Sequence, residues 1–251
     1  MYLKEKVAVI TGASAGIGRA SALLFAQKGA NVVAVARRQH LLETLAEEAE
    51  PYEGRIIPFV GDISLKSTNE SMLEFAVGMF GRLDILVNNA GVMDDFTPVG
   101  DVTDELWSQV MAVNLYGPMT AIRKAVKIMQ EQQKGGSIVN VGSVVAEHGG
   151  RSGAAYAASK AGLQNLSVHT AFLYADKQIR SNCINPGGVK TGIAINTPNV
   201  LGYAKAKLGH ATMSRLGEPE EVAEAVAFLA SDEAKFINGT ILTIDGAWTA
   251  Y

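Results

Sequence analysis

Cysteine is nearly absent from this sequence, since the 251 residues include one, Cys183. An internal disulfide is therefore excluded, and a reducing compartment fits. Cys183 lies in the apolar-alternating segment 179–184, which predicts a strand with a buried thiol. Long apolar runs are also absent, because none approaches the ~18 residues of a membrane-spanning helix. A strand pattern begins at Val7–Ile10 and leaves no room for a signal peptide. We therefore expect a cytoplasmic protein that does not enter a membrane.

Charge of one sign is not in excess. The net charge is −3, and the basic residues are scattered along the chain. This distribution excludes a nucleic-acid footprint and a basic membrane-binding face, and it favours a small soluble ligand. The four histidines lack metal-ligand spacing, so we predict no metal site. They are His40, His148, His169 and His210.

A glycine-rich turn separates the first predicted strand from a helix. The strand pattern Val7–Ile10 is followed by Gly12, Gly16 and Gly18, and a helix-forming run covers 19–28. Glycines let the backbone approach a pyrophosphate closely, and the free N–H groups of a helix N-terminus favour its negative charge. A glycine loop alone can be a tight turn only. Its position between a strand and a helix favours a dinucleotide site.

The second predicted strand, Val32–Ala36, ends in two cations where an acid is usual. Dinucleotide folds commonly present a carboxylate here to the adenosine ribose. Arg37 and Arg38 instead suit the 2′-phosphate of NADP, because arginine binds phosphate through charge-assisted hydrogen bonds. The alternative interpretation is that both arginines are solvated residues at the start of a helix over 39–50. We favour NADP over NAD.

Strand and helix patterns alternate along the rest of the chain. Further strands are predicted at 55–60, 83–87, 137–142, 179–184 and 240–244, and helices at 64–80, 102–133, from 154 onward and after Pro219. This alternation predicts an α/β fold, a single-domain, Rossmann-like, doubly wound parallel sheet of about seven strands with helices on both faces. Ligands of such sheets bind at the carboxyl ends of the strands.

Three side chains near the middle of the chain carry useful chemistry. Tyr156 and Lys160 lie four residues apart in an Ala-rich predicted helix and therefore share a face. A cation so close is expected to lower a tyrosine pKa from ~10 by about 2–3, which makes Tyr156 a candidate general acid/base. Ser143, at the end of the preceding strand, is a candidate for stabilising the oxygen that gains charge. A Tyr-x-x-x-Lys pair also occurs by chance in many amphipathic helices.

Taken together, these motifs make the chain resemble short-chain dehydrogenases/reductases of the 250-residue type, end to end. The matching residues are Thr11-Gly-x-x-x-Gly-Ile-Gly18, Asp62, Asn88-Asn-Ala-Gly91, Asn114, Ser143, Tyr156-x-x-x-Lys160 and Pro186-Gly187 followed by Thr191. The resemblance implies an NADP-dependent oxidoreductase that transfers a hydride between nicotinamide and a carbonyl or secondary alcohol.

The resemblance also implies a role for each matching residue. Tyr156 would exchange the proton, Ser143 would orient the substrate oxygen, and Lys160 would tune Tyr156 and hold the nicotinamide ribose. Asn114, in a kinked helical region 111–117, would position a water that links Lys160 to solvent. Ser14 and Arg37 would contact the 2′-phosphate. The cofactor-binding residues so implied are Gly12, Ser14, Ala15, Gly16, Ile17, Gly18, Arg37, Arg38, Asp62, Ile63, Asn89, Ala90, Gly91, Tyr156, Lys160, Pro186, Gly187, Val189 and Thr191.

By the same resemblance, one domain spans 1–251 and carries a mobile substrate lid at 192–213. The substrate pocket would be lined by Val145, His148, Gly188 and Ile193. A homotetramer is implied, with contacts through the small-residue face of the Tyr156 helix and the apolar tail 247–251. A tail packed within one subunit would have the same composition.

Two other functions remain open from the sequence. A reductase of 3-oxoacyl thioesters on a carrier protein would share every motif, although such enzymes use basic residues near the end of the Tyr156 helix, where this chain has Phe172-Leu-Tyr-Ala. A cofactor-binding sensor or scaffold that has lost its chemistry is the alternative from another class. Such proteins generally lack the equivalents of Tyr156 or Lys160, which this chain keeps.

Overall fold

One parallel sheet of seven strands organises the chain, in the order β3-β2-β1-β4-β5-β6-β7. The computed structural model describes residues 3–193 and 195–250. The strands are β1 (Val7–Thr11), β2 (Asn31–Ala36), β3 (Ile56–Val60), β4 (Ile85–Asn88), β5 (Gly136–Val141), β6 (Ile179–Pro186) and β7 (Ile241–Ile244). The predicted doubly wound sheet is confirmed. The predicted domain bounds 1–251 take in residues 1, 2, 194 and 251, which lie outside the described residues.

Helices cover both faces of this sheet. They are α1 (Gly16–Gln27), α2 (Gln39–Glu48), α3 (Lys66–Phe80), α4 (Asp104–Met111), α5 (Gly117–Gln132), α6 (Ala154–Leu173), α7 (Val200–His210) and α8 (Pro219–Ala230). Buried side chains of α1, α2 and α8 form the core on one face. Those of α3 and α5 form the core on the other face.

Strand β1 shows why the sheet is buried on both sides. All five of its residues are buried. Ala8 and Ile10 point into the core under α1 and α8, whereas Val7 and Val9 point into the core under α3 and α5. Successive side chains of a strand face opposite sides, so an uninterrupted apolar run fits only a strand covered by helices on both faces.

Two helical regions bear on the site, and one of them begins earlier than predicted. Helix α1 begins at Gly16 and not at Arg19, so Gly16 and Gly18 belong to its first turn. The helices expected across 102–133 are α4 and α5, and a π-helical turn, Ala112–Tyr116, separates them. This turn accounts for the kink expected around Asn114. Single π turns within helices occur frequently at functional sites.

Cys183 is fully buried in β6, as predicted. Within the described ranges, no helix has both the length and the apolar character needed to cross a bilayer. The same residues contain no group of three or more histidine, cysteine, aspartate or glutamate side chains placed to hold a metal ion.

Candidate active site

The carboxyl ends of the central strands open into one cavity of about 880 Å³. It lies where the strand order reverses, with β1 flanked by β2 on one side and β4 on the other. Open parallel sheets bind ligands at this point because the helices on either side diverge there. With the exception of Gly18 and Asn114, every residue predicted to be catalytic or cofactor-binding lines this cavity.

The glycine turn after β1 forms one wall. Gly12 and Gly16 have φ angles of +70° and +54°, which side-chain-bearing residues rarely adopt. Gly18 lies behind the turn, where a Cβ atom would be 2.5 Å from the Gly12 carbonyl oxygen. Asn89 fixes this arrangement, since its side-chain amide donates to the Thr11 carbonyl at 2.9 Å and its backbone N–H donates to Thr11 Oγ1 at 3.0 Å. Gly18 therefore shapes the wall without touching the cavity.

The N-terminus of α1 provides an anion site on this wall. Ala15 precedes the helix and has no side chain that could cap it, and the first turn contains no acidic residue. The first N–H groups of a helix have no intrahelical acceptor and carry a partial positive charge. These groups border the cavity, so this end of it fits the pyrophosphate of a dinucleotide. Thr191 packs against Gly16 from the opposite side.

Two arginines line the cavity beyond the end of β2. Arg38 Nη2 donates to Ser14 Oγ at 2.9 Å, which links the second strand to the glycine turn. Arg37 is exposed beside it. Among residues 3–193 and 195–250, no carboxylate lies within ion-pair distance of either guanidinium. Ser14 is therefore hydrogen-bonded to Arg38 in the structure. The resemblance implied instead that Ser14 and Arg37 together contact the 2′-phosphate.

The turn after β3 forms the adjacent part of the wall. The Asp62 carboxylate accepts a hydrogen bond from the Ser64 N–H at 2.9 Å, and Asn69 donates to the Ile63 carbonyl at 2.7 Å. Ile63 is buried. Both predicted residues of this turn therefore have fixed backbones and line the same cavity as Arg37.

Ser143, Tyr156 and Lys160 meet at the other end of the cavity. The Ser143 N–H donates to Asn185 Oδ1 at 3.2 Å, which holds the residue at the end of β5. Lys160 is 3% exposed, donates to the Val141 carbonyl at 2.8 Å and lies 5.6 Å from the centre of the Tyr156 ring. Burial lowers the pKa of Lys160 to about 8.

The expected lowering of the Tyr156 pKa by Lys160 is wrong for this structure. Burial raises the pKa of Tyr156 to about 12; a hydrogen bond with Ser143 opposes this shift, and the negative charge of Asp94 adds to it. The Lys160 ammonium points to the Val141 carbonyl, so it compensates little of the loss of hydration around the phenol. Without a bound cofactor, Tyr156 is therefore a protonated phenol at neutral pH.

Asn114 is fully buried in the π turn and does not line the cavity. Its side-chain oxygen accepts from the Val92 N–H at 2.9 Å, and its amide donates to the Val92 carbonyl at 3.0 Å and to Ser159 Oγ at 3.1 Å. A Cβ atom on Gly91 would be 3.4 Å from Asn114 Oδ1 and 3.6 Å from Lys160 Nζ. Asn114 therefore fixes the backbone next to Lys160.

Asp94 is a site residue that sequence reasoning missed. Its carboxylate is completely buried and accepts a hydrogen bond from the Tyr156 N–H at 2.9 Å, at the start of α6. Burial raises the pKa of Asp94, although backbone hydrogen bonds oppose the shift. The sequence gives no signal for this contact, because 62 positions separate the two residues.

The substrate end also differs from the expectation. Val145, Gly188 and Ile193 line the cavity as predicted, but His148 does not. The chain bends in short 3₁₀ turns at Val144–Ala146 and Gly149–Arg151, which bring Arg151 and Ser152 to the wall in its place.

The C-terminal tail closes this end within the same chain. Trp248 is 4% exposed and donates from its indole to the Gly209 carbonyl at 2.6 Å. Packing within one subunit thus accounts for the apolar character of the tail at Trp248.

Comparisons with known proteins give matches over almost the whole chain. Residues 12–249 match the family model described as enoyl-(acyl carrier protein) reductase. The 3beta-hydroxysteroid dehydrogenase 2 of Eggerthella lenta is 42% identical over 251 residues, which cover 99% of this chain and 96% of that protein. The 3-oxoacyl-[acyl-carrier-protein] reductase FabG of Thermotoga maritima is 39% identical, covering 98% of each chain. A solved levodione reductase gives a TM-score of 0.88 at 32% identity and covers 99% of both chains.

Fold and site together define an oxidoreductase that acts on a CH–OH or C=O group. The chain belongs to the short-chain dehydrogenase/reductase family, whose members bind nicotinamide cofactors.

Proposed function

We propose that this protein is an NADP-dependent alcohol dehydrogenase or ketone reductase in which Tyr156 exchanges a proton with the substrate oxygen. The observation that carries the proposal is the meeting of Tyr156, Ser143 and Lys160 at one end of a cavity whose other end fits a pyrophosphate. When bound, nicotinamide supplies or accepts the hydride, and the chain contributes position and electrostatics.

Each residue has a distinct task in this proposal. The phenol of Tyr156 gives its proton to the carbonyl oxygen in reduction or takes one from the alcohol in oxidation. The hydroxyl of Ser143 donates to the same oxygen and stabilises its growing charge. Lys160 holds the nicotinamide ribose with its buried ammonium. Asn114 keeps the backbone at Val92 in place and positions a water near Lys160.

The protonation state of Tyr156 favours carbonyl reduction. With a pKa of about 12, the side chain carries its proton throughout the neutral range and can donate it. Oxidation requires the phenolate instead, and a bound cofactor must then make that form accessible. We therefore propose that Tyr156 acts as the proton donor in carbonyl reduction.

The preference for NADP is supported by the cations at the end of β2. Arg37 and Arg38 lie at the cavity with Ser14, and β2 ends at Ala36 with no acid to repel a phosphate. A charge-assisted hydrogen bond to a phosphate contributes about 1.5–3 kcal/mol, which corresponds to roughly 10- to 150-fold in affinity.

NADPH and NADH affinities, measured at one ionic strength for the wild type, Arg37→Ala and Arg38→Ala, test this preference. Arg123→Ala, which removes an exposed charge of α5 outside the cavity, is the matched control. We expect NADPH binding to fall at least about tenfold in one or both cavity variants, with NADH binding unchanged. Equal affinity of the wild type for both cofactors would refute the preference.

A reductase of 3-oxoacyl thioesters is the second candidate, and the likeness to the Thermotoga maritima protein favours it. Against it, the end of α6 is apolar at the surface, where Phe172 is 83% exposed and Leu173 is 50% exposed. The resemblance implies basic residues at this place in carrier-protein reductases, and these exposed apolar side chains do not supply their charge. Turnover of acetoacetyl thioester faster than of simple ketones would favour this alternative.

We also propose a homotetramer and a lid at 192–213 on a single catalytic domain. An apolar groove of about 550 Å³ lies between the π turn and α6, bordered by Leu115, Met119 and Leu166, and supports a subunit contact there. The lid proposal is supported by Asp95, whose carboxylate accepts hydrogen bonds from two backbone N–H groups at 196–197. Light scattering of the purified protein tests the tetramer.

A further inference from the structure

The substrate end of the cavity carries a cation that no described residue neutralises. Arg151 lines the cavity at the end of the 3₁₀ turn Gly149–Arg151. Its Nη2 atom makes one long hydrogen bond, 3.4 Å to the Trp248 carbonyl. Its Nη1 atom is buried and has no hydrogen-bond partner in the described part of the chain. A buried donor without an acceptor is unfavourable, so a ligand that supplies an acceptor gains affinity.

The side-chain hydroxyl of the next residue, Ser152, is also buried without a hydrogen-bond partner among the described residues. Ser152 lines the cavity as well. Two adjacent residues of the cavity wall therefore each carry a buried donor without an acceptor, at the surface of one space. A carboxylate has two oxygens and several lone pairs, and it can accept from a guanidinium and a hydroxyl together.

The guanidinium is held in place by packing and not by an acid. Its central carbon lies 4.1 Å from the centre of the Trp248 ring, and the His210 ring lies 5.6 Å from Trp248 on centres. A Cβ atom on Gly209 would be 3.8 Å from Arg151, so this glycine leaves room for the side chain. Stacking on an aromatic ring orients arginine while its N–H groups stay free for a ligand.

Charges of both signs surround Arg151, since the buried Asp94 carboxylate lies beside Gly153 and Lys207 lies on α7 near His210. Burial lowers the pKa of His210, and the positive charges of Arg151 and Lys207 add to the effect, so His210 is neutral near pH 7. Asp62 contributes a carboxylate to the cavity wall, but it lies after β3 at the cofactor end. The Arg151 guanidinium, which forms no ion pair with a described carboxylate, is the group at this end that attracts an anion, because a charge in a partly buried space is poorly screened.

Most of the remaining wall of this end is apolar, and it is formed by Met93, Phe96, Val145, Ile193, Met213 and Leu216. Gln109 and Asn196 are polar residues that also line the cavity. An apolar surface of this kind binds a hydrocarbon body and rejects a heavily hydroxylated one, because the hydroxyl groups would lose water without finding acceptors. The site thus combines one anion position with an apolar chamber.

Resting on the proposed function, we infer that the substrate is an oxo acid, or the matching hydroxy acid, with an apolar body whose carboxylate binds Arg151 and Ser152. The carbonyl at its other end reaches Tyr156 and Ser143, which line the same cavity. Arg151 is then a specificity-determining residue that takes no part in the proton transfer.

Binding of two matched probes tests the inference without turnover. Cyclohexanecarboxylate and cyclohexanecarboxamide have the same shape and differ in charge. Calorimetry with the intact protein, saturated with its preferred cofactor so that the phosphate-binding end is filled, gives both affinities. We expect the carboxylate to bind the wild type at least about tenfold more tightly than the amide, and Arg151→Met to lose this difference.

Arg123→Met removes an equal charge from the surface of α5 and should keep the full difference. Arg151→Gln replaces the methionine variant if that variant does not fold. Equal binding of the two probes by the wild type overturns the inference, whichever variant folds. A tenfold difference that survives in the Arg151 variants also overturns it.

A kinetic measurement separates failure of this inference from failure of the proposed function. Reduction of 4-oxocyclohexanecarboxylate is compared with reduction of its methyl ester, as kcat/KM. Turnover of both at similar rates leaves the oxidoreductase proposal intact and contradicts the carboxylate site. A wild-type preference of about tenfold for the acid, lost in Arg151→Met while the ester rate is kept, supports both.

Discussion

Replacing Lys160 by methionine should abolish turnover and, at neutral pH, stabilise the protein against unfolding. Lys160 is almost completely buried, and the described residues give its ammonium the Val141 carbonyl as a hydrogen-bond acceptor. Burial lowers its pKa from 10.5 to about 8. Methionine fills a similar volume without a charge, so the cost of keeping an ammonium inside the protein disappears.

The size of the effect follows from this pKa. A fall from 10.5 to about 8 corresponds to roughly 3 kcal/mol of stability lost at pH values below 8. Removing the ammonium also leaves the Val141 carbonyl without its donor, which costs about 1–3 kcal/mol. The expected net gain of the variant at pH 7 is therefore about 1 kcal/mol.

The dependence on pH gives the sharper test. Between pH 8 and 10.5 the unfolded chain keeps the Lys160 proton and the native protein releases it, so the wild type gains stability as pH rises. The advantage of Lys160→Met should therefore shrink and reverse across this range. Urea unfolding of both proteins without cofactor, at pH 7 and pH 10, measures it. Lys127→Met, on the exposed face of α5, is the control and should show no such change. An equal difference at both pH values would refute the reasoning.

Three further changes have expected outcomes. Asp94→Asn keeps an acceptor for the Tyr156 N–H but removes a negative charge that raises the Tyr156 pKa. The Tyr156 pKa should therefore fall, and the rate of ketone reduction should begin to decline at a lower pH than in the wild type. An unchanged pH profile of kcat would contradict this. Gly18→Ala puts a Cβ atom 2.5 Å from the Gly12 carbonyl and should cost about 1–3 kcal/mol, seen as a lower Tm. Gly78→Ala, in α3 with open space around it, should instead raise stability by about 0.5–1 kcal/mol, and a lower Tm would show that its surroundings are tighter than described.

The strands could be predicted from the sequence because their signal is local. Val7–Ile10 is apolar at each position, and a glycine turn bounds it, so the observed strand Val7–Thr11 differs by one residue. The start of α1 was placed three residues late, since glycine counts against a helix. The first turn of a helix, however, depends less on propensity than on what its free N–H groups meet.

The segment 192–213, which we propose as a lid, could not be read in this way. Its mixed polar pattern predicts a loop, yet Val200–His210 forms a helix. Asn199 caps this helix by accepting from the Gly202 N–H at 3.0 Å, and Phe96 packs against Tyr203 with ring centres 5.3 Å apart. The cap is local and could have been recognised. The aromatic contact joins segments about a hundred residues apart, and no periodicity reports it.

The site was predicted where one segment carries the chemistry and missed where two distant segments meet. Tyr156 and Lys160 are close in sequence, so their shared helix is enough to bring them together. Whether that pair lowers a pKa depends on burial and on where the ammonium points, which only the packed structure defines. Asp94 and Arg151 contact Tyr156 and Trp248, which lie 62 and 97 positions away, so neither contact could be assigned from sequence spacing.

The most direct test of the central claim is carbonyl reduction by Tyr156→Phe, followed as cofactor oxidation with a panel of ketones. Tyr116→Phe, exposed in the π turn and outside the cavity, removes the same hydroxyl group as a control. Tyr156→Phe should bind the cofactor like the wild type and lose at least about 100-fold in kcat, while the control keeps its rate. Turnover by Tyr156→Phe at the wild-type rate would mean that another group supplies the proton and that the proposed mechanism is wrong.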